Sequence, residues 1–218
     1  HYWTWSRRNW RATAVSSILQ PLLFLLAFGF GFGALIEGRA DAIAGGDYLG
    51  WLAPALLAVT AVQSAAFEGT YPVLSGFKWQ RVYLGMAASP LSPGQIAIGH
   101  LSWVVLKMTG TGAIFLLVVA LCGGARSPWV VLALPAAVLA GAACAALVMA
   151  FAATRENEGN AFSALFRFGL VPMTLFSGTF FPIDRLPEWG RWLAWISPLW
   201  HGTELARAAG FGDWRPLA

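Results

Sequence analysis

Charge is the scarcest property of this chain. Only 11% of its 218 residues are Asp, Glu, Lys or Arg, against about 25% in a soluble domain. So few polar groups cannot cover a folded surface. An ordinary water-soluble globule is excluded, and lipid becomes the main solvent. Cysteine is nearly absent as well. Cys122 and Cys144 both fall in apolar runs, where they read as small buried hydrophobes. They offer neither a disulfide framework nor metal-ligand spacing, so no metal site is expected. A G-x-x-x-x-G-K-[ST] phosphate loop is missing too. The chain is therefore not expected to hydrolyse ATP. The first apolar run is too long for a cleavable leader and lacks a small-residue cleavage site, so none is expected.

Apolar and aromatic residues are abundant. The chain is 58% hydrophobic with twelve Trp and a mean hydropathy of +0.63. Trp is enriched where a membrane meets water. A net charge of +4 and a pI of 9.5 do not point to nucleic acid, because the basic residues are scattered between apolar runs. They read as topology signals. The expected inner segments hold Arg7, Arg8, Arg11, Lys78, Arg81 and Arg155, and the first two outer loops hold Arg39 and Arg126. That bias places the N-terminus in the cytoplasm, although the basic group from Arg185 to Arg215 lies outside and blurs it.

The run predicts an all-α integral membrane protein. Residues 1–11 form an interfacial amphipathic segment. Spans are expected at 12–36, 48–67, 96–121, 129–153 and 161–181. The FGFGFG tail of the first span lacks the preceding strand and spacing of a nucleotide loop and reads as helix packing. Pro72 and Gly76 are expected to interrupt any span, leaving residues 68–95 as an inner segment. Within it, VLSGFKWQRVYLG reads as a short amphipathic surface helix and Ser89–Gly94 as turns. This much defined structure fits a docking element for a cytoplasmic partner. Glu156 and Glu158, in a tight inner loop, read as a second docking contact. As a catalytic carboxylate pair they would lack a neighbouring nucleophile or His.

Polar residues inside the spans have two readings each. Gln63, Ser64 and Glu68 either hydrogen-bond between helices or line a substrate path. Lys107, near mid-membrane, either serves an acidic substrate or proton path, or snorkels or pairs with a neighbouring span. Met173, Phe176 and Ser177 either face a path or pack. His201 lacks a second ligand at metal spacing.

The stretch from Arg167 to Gly210 departs from simple spans. Gly178–Pro182 ends a span. Asp184 is suited to cap a new helix, with Pro187 in its first turn. Trp189, Trp192, Leu193 and Ile196 share one face. Ser197-Pro198 then starts a second short helix, which Gly210 is suited to end, and in which Glu204 and Arg207 are spaced to pair. Neither helix is long enough to cross a bilayer, which takes ~20 apolar residues. Together they form a re-entrant hairpin at 183–210.

Two blocks, FEGTYPVLSGFKWQRVYLGMAASPLSP at 67–93 and FSGTFFPIDRLPEWGRWLAWISPLWHGTELARA at 176–208, resemble the permease subunits of type-2 ABC exporters. The branch they look like includes nodulation-factor (lipooligosaccharide) and daunorubicin-type drug exporters. The resemblance implies one transmembrane domain with six spans, of which five are visible here. The chain starts at His1 without Met and breaks off at Ala218, so it is expected to be trimmed at both ends, which would account for the missing sixth. It implies a coupling element contacting a separate ATPase, expected at Gly76, Lys78, Trp79, Gln80, Arg81, Tyr83, Glu156 and Glu158. Gln63, Ser64, Lys107, Met173, Phe176 and Ser177 are then path candidates. Phe180, Phe181, Pro182, Trp189, Trp192 and Trp195 are candidates for the outer gate. No cofactor is expected on this chain, since ATP and Mg belong to the partner. A second permease, identical or paralogous, is needed to enclose a path. The site would be a bacterial inner membrane. The competing readings are an ion-coupled secondary transporter using Glu68 and Lys107, and a membrane-embedded enzyme using His100, Glu68, Lys107 or the loop carboxylates. An enzyme would gather these groups at one depth, and a secondary transporter would more often show internal repeats; neither pattern is visible.

Overall fold

The computed structural model describes residues 48–121, 128–155, 159–180 and 186–211, with Leu23 and Ile183 as single positions. The expected interfacial segment, the first span, Asp184 and the candidates Glu156, Glu158, Phe181 and Pro182 lie outside the described residues. All regular elements among the described residues are helical. They are α1 (Tyr48–Lys78), α2 (Val82–Ala87) and α3 (Pro93–Leu121). A 3₁₀ turn (Pro128–Leu132) leads into α4 (Ala133–Ala153). Next come α5 (Gly159–Ala164), a π-helical turn (Leu165–Leu170) and α6 (Val171–Phe176). The chain closes with α7 (Glu188–Ile196) and α8 (Pro198–Phe211). Among the described residues, three helices are long and apolar enough to cross a membrane: Gly50–Lys78, Pro93–Leu121 and Trp129–Ala153. A shorter apolar helix runs from Asn160 to Phe176.

α1 is the central helix, and α3, α4 and α8 pack on it. Its 31 residues extend about 46 Å at the α-helical rise. α4 meets it along a stripe of small side chains: Ala133, Ala137, Ala140, Gly141, Cys144 and Ala145 are all buried. In lipid there is little hydrophobic drive between helices, so close van der Waals packing has to hold them. Small residues allow that approach. A Cβ on Gly141 would stand 3.2 Å from the Ala61 carbonyl oxygen. α3 presents Val104, Met108, Gly112, Phe115 and Val119 to the same core. Its opposite face leaves Leu106, Leu117 and Leu121 exposed, as a lipid-facing side requires.

The helix boundaries correct several expectations. The second span does not stop at residue 67; α1 continues through Pro72 and Gly76 to Lys78. Pro72 removes the N–H that would bond the Glu68 carbonyl. His100 Nε2 meets that carbonyl at 3.2 Å from another helix, so the helix survives. VLSGFKWQRVYLG is consequently split between the end of α1, a turn and α2, and is not one surface helix. The third span begins earlier than expected, at Pro93. Ser92 and Gln95 form a capping box there. The Ser92 N–H donates to Gln95 Oε1 at 2.9 Å, and the Gln95 N–H donates to Ser92 Oγ at 3.3 Å. Residues 128–132 are 3₁₀, and α4 proper starts at Ala133. The helix at the expected fifth span is a composite with a π-helical turn, and it ends at Phe176 instead of 181.

The expected helical pair after it is present. Pro187 sits at the N-cap of α7 with extended geometry (φ −60°, ψ 156°), outside the first turn. Ser197 caps α8, its Oγ accepting the Leu199 N–H at 3.2 Å. α8 then runs one residue past Gly210. Gly202 lets it lie on α4: a Cβ there would stand 2.4 Å from the Ala140 Cβ. Replacing Gly202 by Val should therefore push α8 off α4 and cost about 1–3 kcal/mol. Thermal unfolding of the detergent-solubilised protein should show a lower Tm than wild type.

Candidate functional site

α1 ends in a sharply built turn. The N–H groups of Trp79 and Gln80 both donate to the Ser75 carbonyl, at 3.1 and 2.9 Å. Arg81 then takes left-handed backbone geometry (φ 51°, ψ 26°), which costs a non-glycine residue roughly 1–2 kcal/mol. That strain reverses the chain so that α2 folds back against α1. Tyr83, the second residue of α2, is buried over Gly76. A Cβ on Gly76 would lie 2.5 Å from the Tyr83 ring, so glycine is required for this ring to fit. Phe77 packs edge-on to Tyr83 with centroids 4.8 Å apart.

The expected partner-contact residues thus divide into two groups. Lys78, Trp79, Gln80 and Arg81 are exposed at the tip. Gly76 and Tyr83 are buried beneath it, so they support the turn and do not offer a contact surface of their own.

Below the turn lies a chain of polar contacts. The Tyr83 hydroxyl and His100 Nδ1 are 3.1 Å apart. His100 is itself almost completely buried. Its Nε2 reaches the Glu68 carbonyl, and the Glu68 side chain is ion-paired with Lys107. Lys107 is the central residue of α3. Of its open readings, pairing with a neighbouring helix is the one realised. A lone ammonium at that depth costs on the order of 3 kcal/mol, and Glu68 offsets it.

The path candidates are not brought to one place. A cavity between α1, α3 and α4 is lined by Thr60, Ser64, Thr111 and apolar neighbours and measures about 20 Å³. That is room for about one water, not for an organic cargo. Ser64 reaches this cavity; Gln63 does not line it. Gln63 instead joins Thr60 and the exposed Phe67 on the partly open side of α1. Met173 and Phe180 are half-buried against the core. Phe176 packs on Trp189 with centroids 5.5 Å apart. Ser177 is fully buried, and its Oγ donates to the Thr174 carbonyl at 3.1 Å and lies 2.7 Å from Thr179 Oγ1. Its hydroxyl is used within the fold.

At the opposite end of α1, Arg207 of α8 is a hub that the sequence pattern hardly announces. It is buried, and its Nη2 donates to the carbonyls of Gly178 at 2.7 Å and Thr179 at 3.0 Å. Its Nη1 pairs with Glu204 at 3.1 Å, the pairing expected from their spacing. Its guanidinium stacks 3.7 Å from the Trp51 ring centroid. The loop after α6, with Gly178 at φ 71°, is held to α8 and α1 through this one side chain. Thr203 adds a bond from its Oγ1 to the Ser177 carbonyl at 3.2 Å. α7 turns its small residues Gly190 and Ala194 inward. Trp189, Trp192, Leu193, Trp195 and Ile196 remain exposed. His201 Nε2 donates to the Trp195 carbonyl at 2.9 Å, which closes the end of α7. Histidine here serves the backbone.

Three long apolar helices, a partly buried charge pair, an exposed basic turn and a Trp-faced helical pair are the features of a membrane protein. The chain belongs to the ABC-2 type transporter family, which it matches over residues 3–211; it is the membrane permease type of subunit. It is similar to Nodulation protein J of Sinorhizobium fredii, 34% identical across 95% of this chain and 81% of that protein. The protein of the same name from Rhizobium leguminosarum bv. viciae is 30% identical, covering 97% of this chain and 82% of its own length. That of Bradyrhizobium diazoefficiens is 32% identical, with 92% and 78% covered. No solved structure gives a significant match.

Glu68 and Lys107 should behave as a pair. Lys107→Met alone leaves a partly buried carboxylate unpaired. The cost should be about 1–3 kcal/mol, below the value for a fully buried pair because both side chains keep some solvent contact. Adding Glu68→Gln should recover a large part of the loss in thermal unfolding.

Proposed function

We propose that this chain is the permease subunit of an ATP-driven exporter in a bacterial inner membrane, powered by an ATPase on a separate polypeptide. The observation that carries the reading is the exposed turn Lys78–Arg81. It stands at the end of the most buried helix and is braced from beneath by Tyr83. A basic, rigidly supported tip is suited to receive force from a soluble partner. On this reading the tip and the N-terminus are cytoplasmic, and Glu156 and Glu158 supply a second contact. A second permease, identical or paralogous, would complete the path, since the interior cavity holds no more than a water. Gln63, on the partly open side of α1, would border that path with Ser64, Met173 and Phe176. A sixth span is expected beyond the hairpin.

The cargo is an amphipathic or lipid-linked molecule, such as a lipooligosaccharide or a drug. The apolar, aromatic-rich helix faces support this, as does the similarity to proteins named for nodulation. ATP-driven closure of the partner would tilt α1 through its basic tip and alternate access between the two sides. Phe180, Phe181, Pro182, Trp189, Trp192 and Trp195 would shape the outer exit.

Lys78→Glu with Arg81→Glu tests the docking. The ATPase that co-purifies with the wild-type chain should be lost, while the permease keeps its Tm. Unchanged assembly and export would overturn the docking assignment. Transport by the isolated chain without ATP would favour an ion-coupled carrier. A separate measurement addresses the hairpin. Trp189→Gln with Trp192→Gln should lower export or raise the basal leak of a small fluorescent solute from proteoliposomes. Wild-type values for both would remove the hairpin from the gate.

A further inference from the structure

Pro72 leaves the Glu68 carbonyl without its intrahelical N–H, on a stretch of α1 where Thr70, Val73 and Leu74 are buried. An unpaired carbonyl there costs roughly as much as a lost hydrogen bond. His100 Nε2 lies 3.2 Å from it. A carbonyl only accepts, so Nε2 carries a proton. The neutral ring then presents Nδ1 as an acceptor, and the Tyr83 hydroxyl donates to it at 3.1 Å. Tyr83 is itself wedged between Gly76 and Phe77 directly under the exposed tip. The order along this chain is therefore tip, Tyr83, His100, Glu68 carbonyl. The same Glu68 carries the carboxylate that holds Lys107 at the middle of α3.

We infer that His100 is a positioning residue that supplies the donor Pro72 lacks, and that through Tyr83 it makes the straightness of α1 depend on the tip. When the tip is displaced, the Tyr83 hydroxyl leaves Nδ1 and the ring loses its fixed orientation. The Glu68 carbonyl then loses its donor, and α1 bends where proline has already removed one rung. Glu68 moves with the backbone, and its hold on Lys107 changes. A load at the surface is in this way converted into a rearrangement in mid-bundle. The inference rests on the proposed reading of the tip as a docking point, and its test separates the two.

The first measurement uses the purified permease alone. His100→Ala should lower the Tm by several degrees. His100→Gln, whose amide both donates and accepts, should regain most of that. In a Pro72→Ala background the backbone N–H returns, and His100→Ala should cost clearly less, keeping only the loss of its packing and of its bond to Tyr83. An equal loss in both backgrounds would show that the ring is only packing and would overturn the inference. The second measurement uses the complex with its co-purifying ATPase. Tyr83→Phe and the double variant Pro72→Ala/His100→Ala should keep the ATPase bound and hydrolysing, with export per ATP reduced several-fold. Wild-type export per ATP in both would also overturn it. Absence of any ATPase from the wild-type preparation would count against the docking proposal, and the stability cycle would still decide the role of His100.

Discussion

A backbone carbonyl inside a bilayer has no water to fall back on, and this fold is organised around meeting that demand wherever the helical ladder fails. Pro72 strands the carbonyl of Glu68, and His100 of α3 supplies a donor. The loop after α6 strands those of Gly178 and Thr179, and Arg207 supplies two. α7 ends at Trp195 and Ile196, and His201 caps the Trp195 carbonyl. Three of the few ionisable side chains are therefore committed to the backbone. For His100 and Arg207 this explains why a chain so poor in charge places such residues in its interior.

Close packing is the second constraint, and it follows from the same solvent. With lipid on the outside, a Leu gains little by turning inward, so the helices meet through small residues. The Ala/Gly stripe of α4 lets α1 approach, and Gly202 lets α8 lie across α4. On α4 and α7 the large apolar side chains are turned outward, as Leu139, Leu147 and the Trp face show, while α1 keeps Leu52, Leu56 and Leu57 buried. The Trp189/Trp192/Leu193/Ile196 face read from the sequence is real as a periodic surface. It points away from the subunit, because Gly190 and Ala194 are what fit against it.

Much of this was legible in the residues. Charge scarcity and run length located the helices at 48, 96 and 129 to within a few residues, and Ser197-Pro198 marked the start of α8. Local signals misled where a tertiary contact overrode them. Pro72 and Gly76 look like breakers, but a distant histidine mends one and a tyrosine ring fills the space over the other. No pattern in sequence joins position 72 to position 100. Lys107 and Glu68 were each visible as out-of-place charges, yet their pairing depends on how α1 and α3 lie together. Arg207 was legible only through its i, i+3 partner Glu204. Its bonds to Gly178, Thr179 and Trp51 come from chain segments far away in sequence.

α1 links these features mechanically. Near its start, Trp51 lies under the Arg207 guanidinium, and Pro54 would meet any side chain placed on Gly210. At its end it carries the Lys78–Arg81 tip. The interval from Trp51 to Lys78 is about 40 Å of continuous helix, longer than the ~30 Å hydrocarbon core. A helix held near both ends and buried along most of its length moves as a rod unless it has a weak rung. The weak rung is at Pro72, close to the tip, and its replacement donor comes from α3. On the proposed docking, force entering at the tip would have two routes: bodily tilt of α1, which would reach the hairpin through Arg207, and bending at Pro72, which would reach α3 through His100 and Lys107. The hydrogen bond at the Glu68 carbonyl would then set the division between them, because a helix with all its carbonyls bonded is stiffer than one with a missing rung.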